Sequence, residues 1–261
     1  MMLLIPELAI GAIVGLIIST TGVGGGVIVL PILTYFFGLD ALASVATANL
    51  LSMLMKISSS YMHFRMGNIP LRQSLIILLI MIPGTVFASY GVTMLSHLSH
   101  NRLQLEWGIN LLVLLAILFS LYLFYRRIRQ PKLHIDQSQR QSGLIKPLLL
   151  PGTGAGLVLG ATGVGGGVVV LPLLLRYGQM SIKQAVGVSL FITMMLSGSS
   201  AFAYAYGGHT DWKLALVLFV GSLLAIPFAR YLIKHMSDKV LQHATLFLIL
   251  GSAVLMGSRL V

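Results

Sequence analysis

Thr21-Gly22-Val23-Gly24-Gly25-Gly26-Val27-Ile28-Val29-Leu30-Pro31 returns 141 residues later as Thr162-Gly163-Val164-Gly165-Gly166-Gly167-Val168-Val169-Val170-Leu171-Pro172, with one conservative change in eleven positions. Glycine serves where a backbone takes unusual angles or must admit close approach. Each cluster lies between two apolar segments too short to cross a bilayer alone. That pattern marks a membrane helix broken at its middle, and its recurrence marks a duplicated membrane fold.

The composition agrees. Hydrophobic residues make up 57% of the 261-residue chain and charged residues 9%. Several apolar runs of about twenty residues match the thickness of a bilayer core. A net charge of +11 would suggest nucleic acid in a water-soluble protein, but here most Lys and Arg fall in short loops, where they set orientation. Nucleic acid is therefore excluded as a partner, and the bilayer is the expected one. With no cysteine, disulfides, thiolate ligands and redox pairs are excluded. The start, Met1-Met2-Leu3-Leu4-Ile5-Pro6, lacks a basic signal region and reads as mature sequence running into the first apolar segment.

As one straight helix, the apolar stretch from Leu8 to Phe37 would be about 45 Å long, against a hydrocarbon core of roughly 30 Å. Split at the glycines, each arm is about 16 to 20 Å. The stretch therefore reads as a re-entrant hairpin, 8–37, followed by spans at 42–62, 71–94 and 103–125. A polar connector, 126–146, carries six basic residues against the single acid Asp136. The plan then repeats, with a hairpin at 147–177 and spans at 182–205, 212–231 and 240–257. The expected fold is all-α and polytopic, with a first repeat over 1–125 and a second over 147–261.

Charge counting separates two topologies. If each glycine segment returns, thirteen Lys and Arg lie with the connector and three opposite; if each crosses, ten lie with it and six opposite. The positive-inside rule favours the hairpins and makes the connector cytoplasmic. Three full crossings per repeat force the halves to be inverted, so both hairpin tips are expected to meet near the midplane from opposite sides.

The duplicated Gly-Val-Gly-Gly-Gly-x-x-x-x-Pro turns, the basic connector and the small residues of later spans (Gly84 with Ala88, Gly221 with Ala225) resemble the sulfite exporter TauE/SafE family of membrane permeases. The resemblance covers essentially the whole chain. It implies a carrier of sulfite, sulfonates or other sulfur-containing organic anions; composition and periodicity carry no sign of sulfur.

The residues themselves point to an anion. All six acids (Glu7, Asp40, Glu106, Asp136, Asp211, Asp238) fall at span ends or in loops, whereas cation carriers keep carboxylates within the membrane. This also removes paired-carboxylate catalysis and metal clusters, and no cofactor is expected. The second arm of each hairpin begins a helix whose free amides and dipole favour an oxyanion. The expected substrate-binding residues are Thr21, Gly22, Gly24, Gly25 and Gly26 of the first turn and Thr162, Gly163, Gly165, Gly166 and Gly167 of the second. The bland reading of these glycines is close helix packing, the role expected of Gly11 with Gly15 and Gly152 with Gly156. Pro31 and Pro172, just beyond the helix starts, are expected to fix a kink.

Lys56 is the one charge deep inside a span, and a buried charge is a functional candidate. Helical spacing puts Asn49, Ser52, Lys56, Ser59 and His63 on one polar stripe. The stripe aligned with it in the other half is Ser189, Thr193, Leu196 and Ser200, with Leu196 in the place of the lysine. Asn49, Ser52, Lys56, Ser189 and Thr193 join the expected site, the bland reading of Lys56 being a side chain reaching for a head group. His63 and His209, near span ends, read as interfacial side chains, as do Trp107, Trp212, Tyr122 and Tyr125. The thirteen methionines read as packing. The expected function is secondary transport of a small anion by alternating access. An anion channel, or a carrier of another small organic anion, is the alternative. A membrane enzyme lacks a catalytic dyad. The sequence leaves open the direction of transport, the coupling ion and a homodimer.

Overall fold

The computed structural model describes residues 4–22, 26–98, 145–162, 169–178 and 180–257, together with 107, 108, 111, 114, 115, 117–119, 121, 122 and 125. The described residues form helices and turns, with no strand among them. The helices are α1 (Leu4–Thr21), α2 (Gly26–Tyr35), α3 (Ala41–Arg65), α4 (Leu71–Leu98), α5 (Ile145–Thr162), α6 (Leu171–Tyr177), α7 (Ile182–Tyr206), α8 (Trp212–His235) and α9 (Asp238–Gly257). The expected span 103–125 and the connector 126–146 lie largely outside the described residues, although the described positions between 107 and 125 are helical.

Among the described residues, four helices are long and apolar enough to cross a membrane: Leu42–Arg65, Leu71–Leu95, Ile182–Tyr206 and Trp212–His235. Large apolar side chains such as Leu79, Phe87, Leu224, Phe228 and Phe247 stand exposed on the outside, while Ser, Thr, Asn and Lys side chains are buried. That inversion is the signature of a protein whose solvent is lipid. The chain is a membrane-embedded helical protein.

Helix starts follow local chemistry. The Asp40 side chain accepts from Ala43 N at 2.7 Å and caps α3. Ser181, at the matching place 141 residues on, caps α7 in a reciprocal box with Gln184. Asp211 caps α8 through Leu214 N at 3.0 Å. The described acids Glu7, Asp40, Asp211 and Asp238 thus all sit at helix starts, where the dipole favours negative charge.

The 18 residues described in α1 extend about 27 Å and the 10 described in α2 about 15 Å.

Packing joins each half to the other. α1 lies along α8, α5 lies along α4, and α3 crosses α7 at the centre. Small residues allow the close approach. A Cβ on Gly11 would strike the Leu218 carbonyl, one on Gly15 would come 2.5 Å from Ser222 Cβ, and one on Gly221 would strike the Leu8 carbonyl. In the other pair, a Cβ on Gly156 would strike the Met81 carbonyl and one on Gly160 the Thr85 carbonyl. The packing role expected of Gly11, Gly15, Gly152 and Gly156 is what these contacts describe. Gly15 with Ser222 and Gly156 with Met81 are the same contact made twice, each partner shifted by 141 positions.

Candidate functional site

α3 and α7 form the centre of the molecule and run antiparallel. Gly187 lies against His63 and Asn68, Gly198 against Met53, and Asp211 N donates to Thr47 Oγ1 at 2.9 Å. Lys56 sits where they cross. Its side chain is fully buried, and its Nζ donates to Ser197 Oγ at 3.5 Å. No carboxylate of a described residue pairs with it, since the described acids are all at helix starts. Ser197 stands 141 residues from Lys56, so the lysine faces its own counterpart in the other half.

This corrects the alignment that placed Leu196 opposite Lys56. Leu196 is a buried apolar residue one position off the shared register. The missed residue, Ser197, follows directly from the spacing of the two glycine turns. The asymmetry itself stands: one half contributes an ammonium, the other a hydroxyl.

His63 is also corrected. It is completely buried rather than interfacial. Its Nε2 lies 3.1 Å from the Ser19 carbonyl oxygen and its Nδ1 lies 3.3 Å from Asn68 Nδ2. A carbonyl only accepts and an amide nitrogen only donates, so the ring is neutral with its proton on Nε2. Tyr204, 141 positions later, makes the corresponding bond through its hydroxyl to the Gly160 carbonyl at 3.1 Å. Ser19, unnoticed in the sequence, also bonds Ser59 through its hydroxyl at 2.5 Å.

The remaining expected residues fall into two groups on either side of the Lys56–Ser197 level. Gly22, at φ +69°, packs against Val186 and Ser189 of α7, the hypothetical Cβ lying 2.8 Å from Ser189 Oγ. Ser189 and Thr193 are therefore beside the end of α1, together with Ser59 and His63 of α3. Asn49 and Ser52 lie towards the other end of α3. The helix that leads into the second turn ends near there, its Ala161 carbonyl 3.4 Å from the Tyr204 hydroxyl. Ser189 and Tyr204 are separated by about 22 Å along α7 at 1.5 Å per residue. The described ends of α1 and α5 thus lie on either side of the Lys56–Ser197 level. Gly24, Gly25, Gly163, Gly165, Gly166 and Gly167 lie outside the described residues, and Gly26 is the first residue of α2.

Hydrogen bonding separates the groups further. Thr21 Oγ1 donates to Ile17 O at 2.7 Å, Thr162 Oγ1 to Val158 O at 2.6 Å, Ser189 Oγ to Val186 O at 2.8 Å and Thr193 Oγ1 to Ser189 O at 2.6 Å. A hydroxyl has one proton, so the protons of these four are committed to carbonyls of their own helices in this geometry. On α3 the position differs. Asn49 Nδ2 donates to Val45 O at 2.9 Å, but Asn49 Oδ1 and Ser52 Oγ are buried without any partner among the described residues. Buried polar groups are paired as a rule. Two of the four exceptions, the others being His209 Nε2 and Thr210 Oγ1, stand one and two turns below Lys56.

The described residues contain no cluster of three or more metal-ligating side chains. Comparison with known proteins bears on the function. The sequence profile of a family described as Sulfite exporter TauE/SafE matches residues 8–256. A probable membrane transporter protein of Methanocaldococcus jannaschii is 28% identical over 212 residues, covering 78% of this chain and 73% of that one. A probable membrane transporter protein of Bacillus subtilis is 26% identical over 237 residues, covering 90% and 92%. One from Haemophilus influenzae is 29% identical over 210 residues, covering 77% and 73%. No solved structure matches the chain.

Proposed function

The chain belongs to the sulfite exporter TauE/SafE family of membrane transporters, and from that premise we propose that it carries small sulfur-containing oxyanions by alternating access around Lys56. The observation that carries this reading is a lysine, buried at the crossing of α3 and α7, with no carboxylate of a described residue beside it and two unpartnered polar atoms on its own helix face. A site built this way supplies positive charge to a guest instead of satisfying itself, and intramembrane charges of that kind mark substrate pathways. The family's description supports sulfite and its organic derivatives as the anion.

Two inverted repeats are part of the proposal. Supporting them are the duplicated contacts at a constant shift of 141, the antiparallel α3 and α7, and the contact of Lys56 with its own counterpart. A residue touches its counterpart only close to a two-fold axis. Re-entrant hairpins are supported by the path of the first repeat. Ser19, near the end of α1, bonds Ser59 near the end of α3, whereas Thr34 of α2 bonds Ser44 near its start at 2.9 Å. An arm that runs in and an arm that returns would make these two contacts. Counting back along α2 from Thr34, its amino terminus returns to about the level of Ser52, where free amides add to the lysine's field. In the proposed cycle one hairpin-bearing part moves against the rest and exposes the Lys56 level to each side in turn. A cell inner membrane location with the 126–146 connector cytoplasmic completes the proposal, and a homodimer is compatible with it.

The test is counterflow in proteoliposomes. Saturable uptake of labelled sulfite, accelerated by sulfite or a sulfonate on the opposite side, is the expected result. Conductance steps in planar bilayers without such acceleration would replace the carrier by an anion channel.

A further inference from the structure

Asn49, Ser52 and Lys56 lie at i, i+3 and i+7 of α3, on one face of the helix. Long side chains in a helix lean towards its amino terminus, so the lysine reaches from its own position down towards Ser52. The face therefore offers, in order, an ammonium, a hydroxyl whose proton is uncommitted and an amide oxygen. The amide orientation is fixed by its surroundings: the atom 2.9 Å from the Val45 carbonyl must be the nitrogen, which leaves Oδ1 as the atom turned away and unpartnered. An amide oxygen can only accept.

An anion whose polar atoms are all acceptors satisfies Lys56 and Ser52 but sets oxygen against oxygen at Asn49. The charge balance adds a second condition, because one ammonium with no carboxylate of a described residue nearby matches one negative charge. We infer that the Asn49–Ser52–Lys56 face selects monoanions that carry an uncharged hydrogen-bond donor of their own, of the class of hydrogensulfite and short hydroxyalkanesulfonates. The anionic head sits between Lys56 Nζ and Ser52 Oγ, and the guest's hydroxyl donates to Asn49 Oδ1. Ser52 and Asn49 are separated by about 4.5 Å of helix rise, the reach of a two-carbon link between a sulfonate and a hydroxyl. A guest with an ammonium in place of the hydroxyl carries no net charge and brings a second cation towards the lysine, so it is disfavoured. The inference rests on the transport reading above and narrows its substrate.

Three sulfonates of nearly one shape test it: ethanesulfonate, 2-hydroxyethanesulfonate and 2-aminoethanesulfonate. Each is offered to the purified full-length protein in proteoliposomes as a counter-substrate for labelled sulfite. The expected result is that the hydroxy compound exchanges with roughly tenfold higher kcat/KM than the unsubstituted one, the effect of pairing one buried acceptor, and that the amino compound is poorest. Asn49→Leu should bring the kcat/KM values of the first two to parity, removing the preference for the hydroxyl. Equal exchange of ethanesulfonate and 2-hydroxyethanesulfonate by the parental protein overturns the inference and leaves the transport reading in place. If sulfite exchanges with none of the three and does not exchange with itself, the transport reading falls, and the inference with it. Because the comparison is made on the parental protein, it decides the matter even if Asn49→Leu fails to fold.

Discussion

Replacing Lys56 by methionine separates a structural lysine from one kept for a guest. The side chain is fully buried, faces no carboxylate of a described residue and makes one long hydrogen bond of 3.5 Å to Ser197. A buried charge carries a desolvation penalty that an apolar residue of similar volume does not. The lost bond subtracts little, because the Ser197 hydroxyl can turn to its own helix as Ser189 does. Methionine should therefore raise the unfolding temperature in mild detergent, by about 2–4 °C for each kcal/mol in a chain of this size. Sulfite counterflow should meanwhile fall to the level of empty liposomes. A third measurement ties the two together. At a hundredfold excess over Kd, a ligand stabilises its protein by about 2.7 kcal/mol, so sulfite should raise the parental unfolding temperature and leave that of Lys56→Met unchanged. A variant that is less stable, transports at the parental rate and still responds to sulfite would make the lysine a structural element and refute the argument.

The two helical glycines Gly154 and Gly156 should respond oppositely to alanine: Gly154 has nothing within 4 Å of its hypothetical Cβ and should gain up to about 1 kcal/mol from helix propensity. At Gly156 the added carbon meets the Met81 backbone, and overpacking of about 1–3 kcal/mol should lower the unfolding temperature. Gly15→Ala, its counterpart 141 residues earlier, should behave like Gly156→Ala; thermal unfolding of the three variants checks this, and a stabilised Gly15→Ala would argue against the duplicated packing. His63→Phe should destabilise more than Tyr204→Phe. The first leaves both the Ser19 carbonyl and the Asn68 amide without their ring partner, whereas after the second the Gly160 carbonyl still accepts from Ser89 Oγ at 3.2 Å. Unpaired buried groups account for about 1–3 kcal/mol each, and equal unfolding temperatures would contradict that accounting.

Much of the fold is written locally. The apolar runs, the caps at Asp40, Ser181 and Asp211, and the repeated glycine turns each depend on residues a few positions apart, so the sequence alone determines an all-helical membrane protein, its break points and its 141-residue period. It also determines that Lys56 is the lone intramembrane charge, since that follows from counting. What side chains meet across helices is not local. The 141-residue period pairs Lys56 with Ser197, but only the tertiary structure decided that the two touch, because a sequence period does not say which equivalent positions lie close together in space. Only it decided that His63 is buried on the Ser19 carbonyl, that the described ends of α1 and α5 lie on opposite sides of the lysine, and that Asn49 and Ser52 keep unpartnered atoms while Thr21, Ser189, Thr193 and Thr162 turn theirs into their own helices. Those outcomes depend on which neighbour each helix lies against, which is set by packing between segments far apart in the chain.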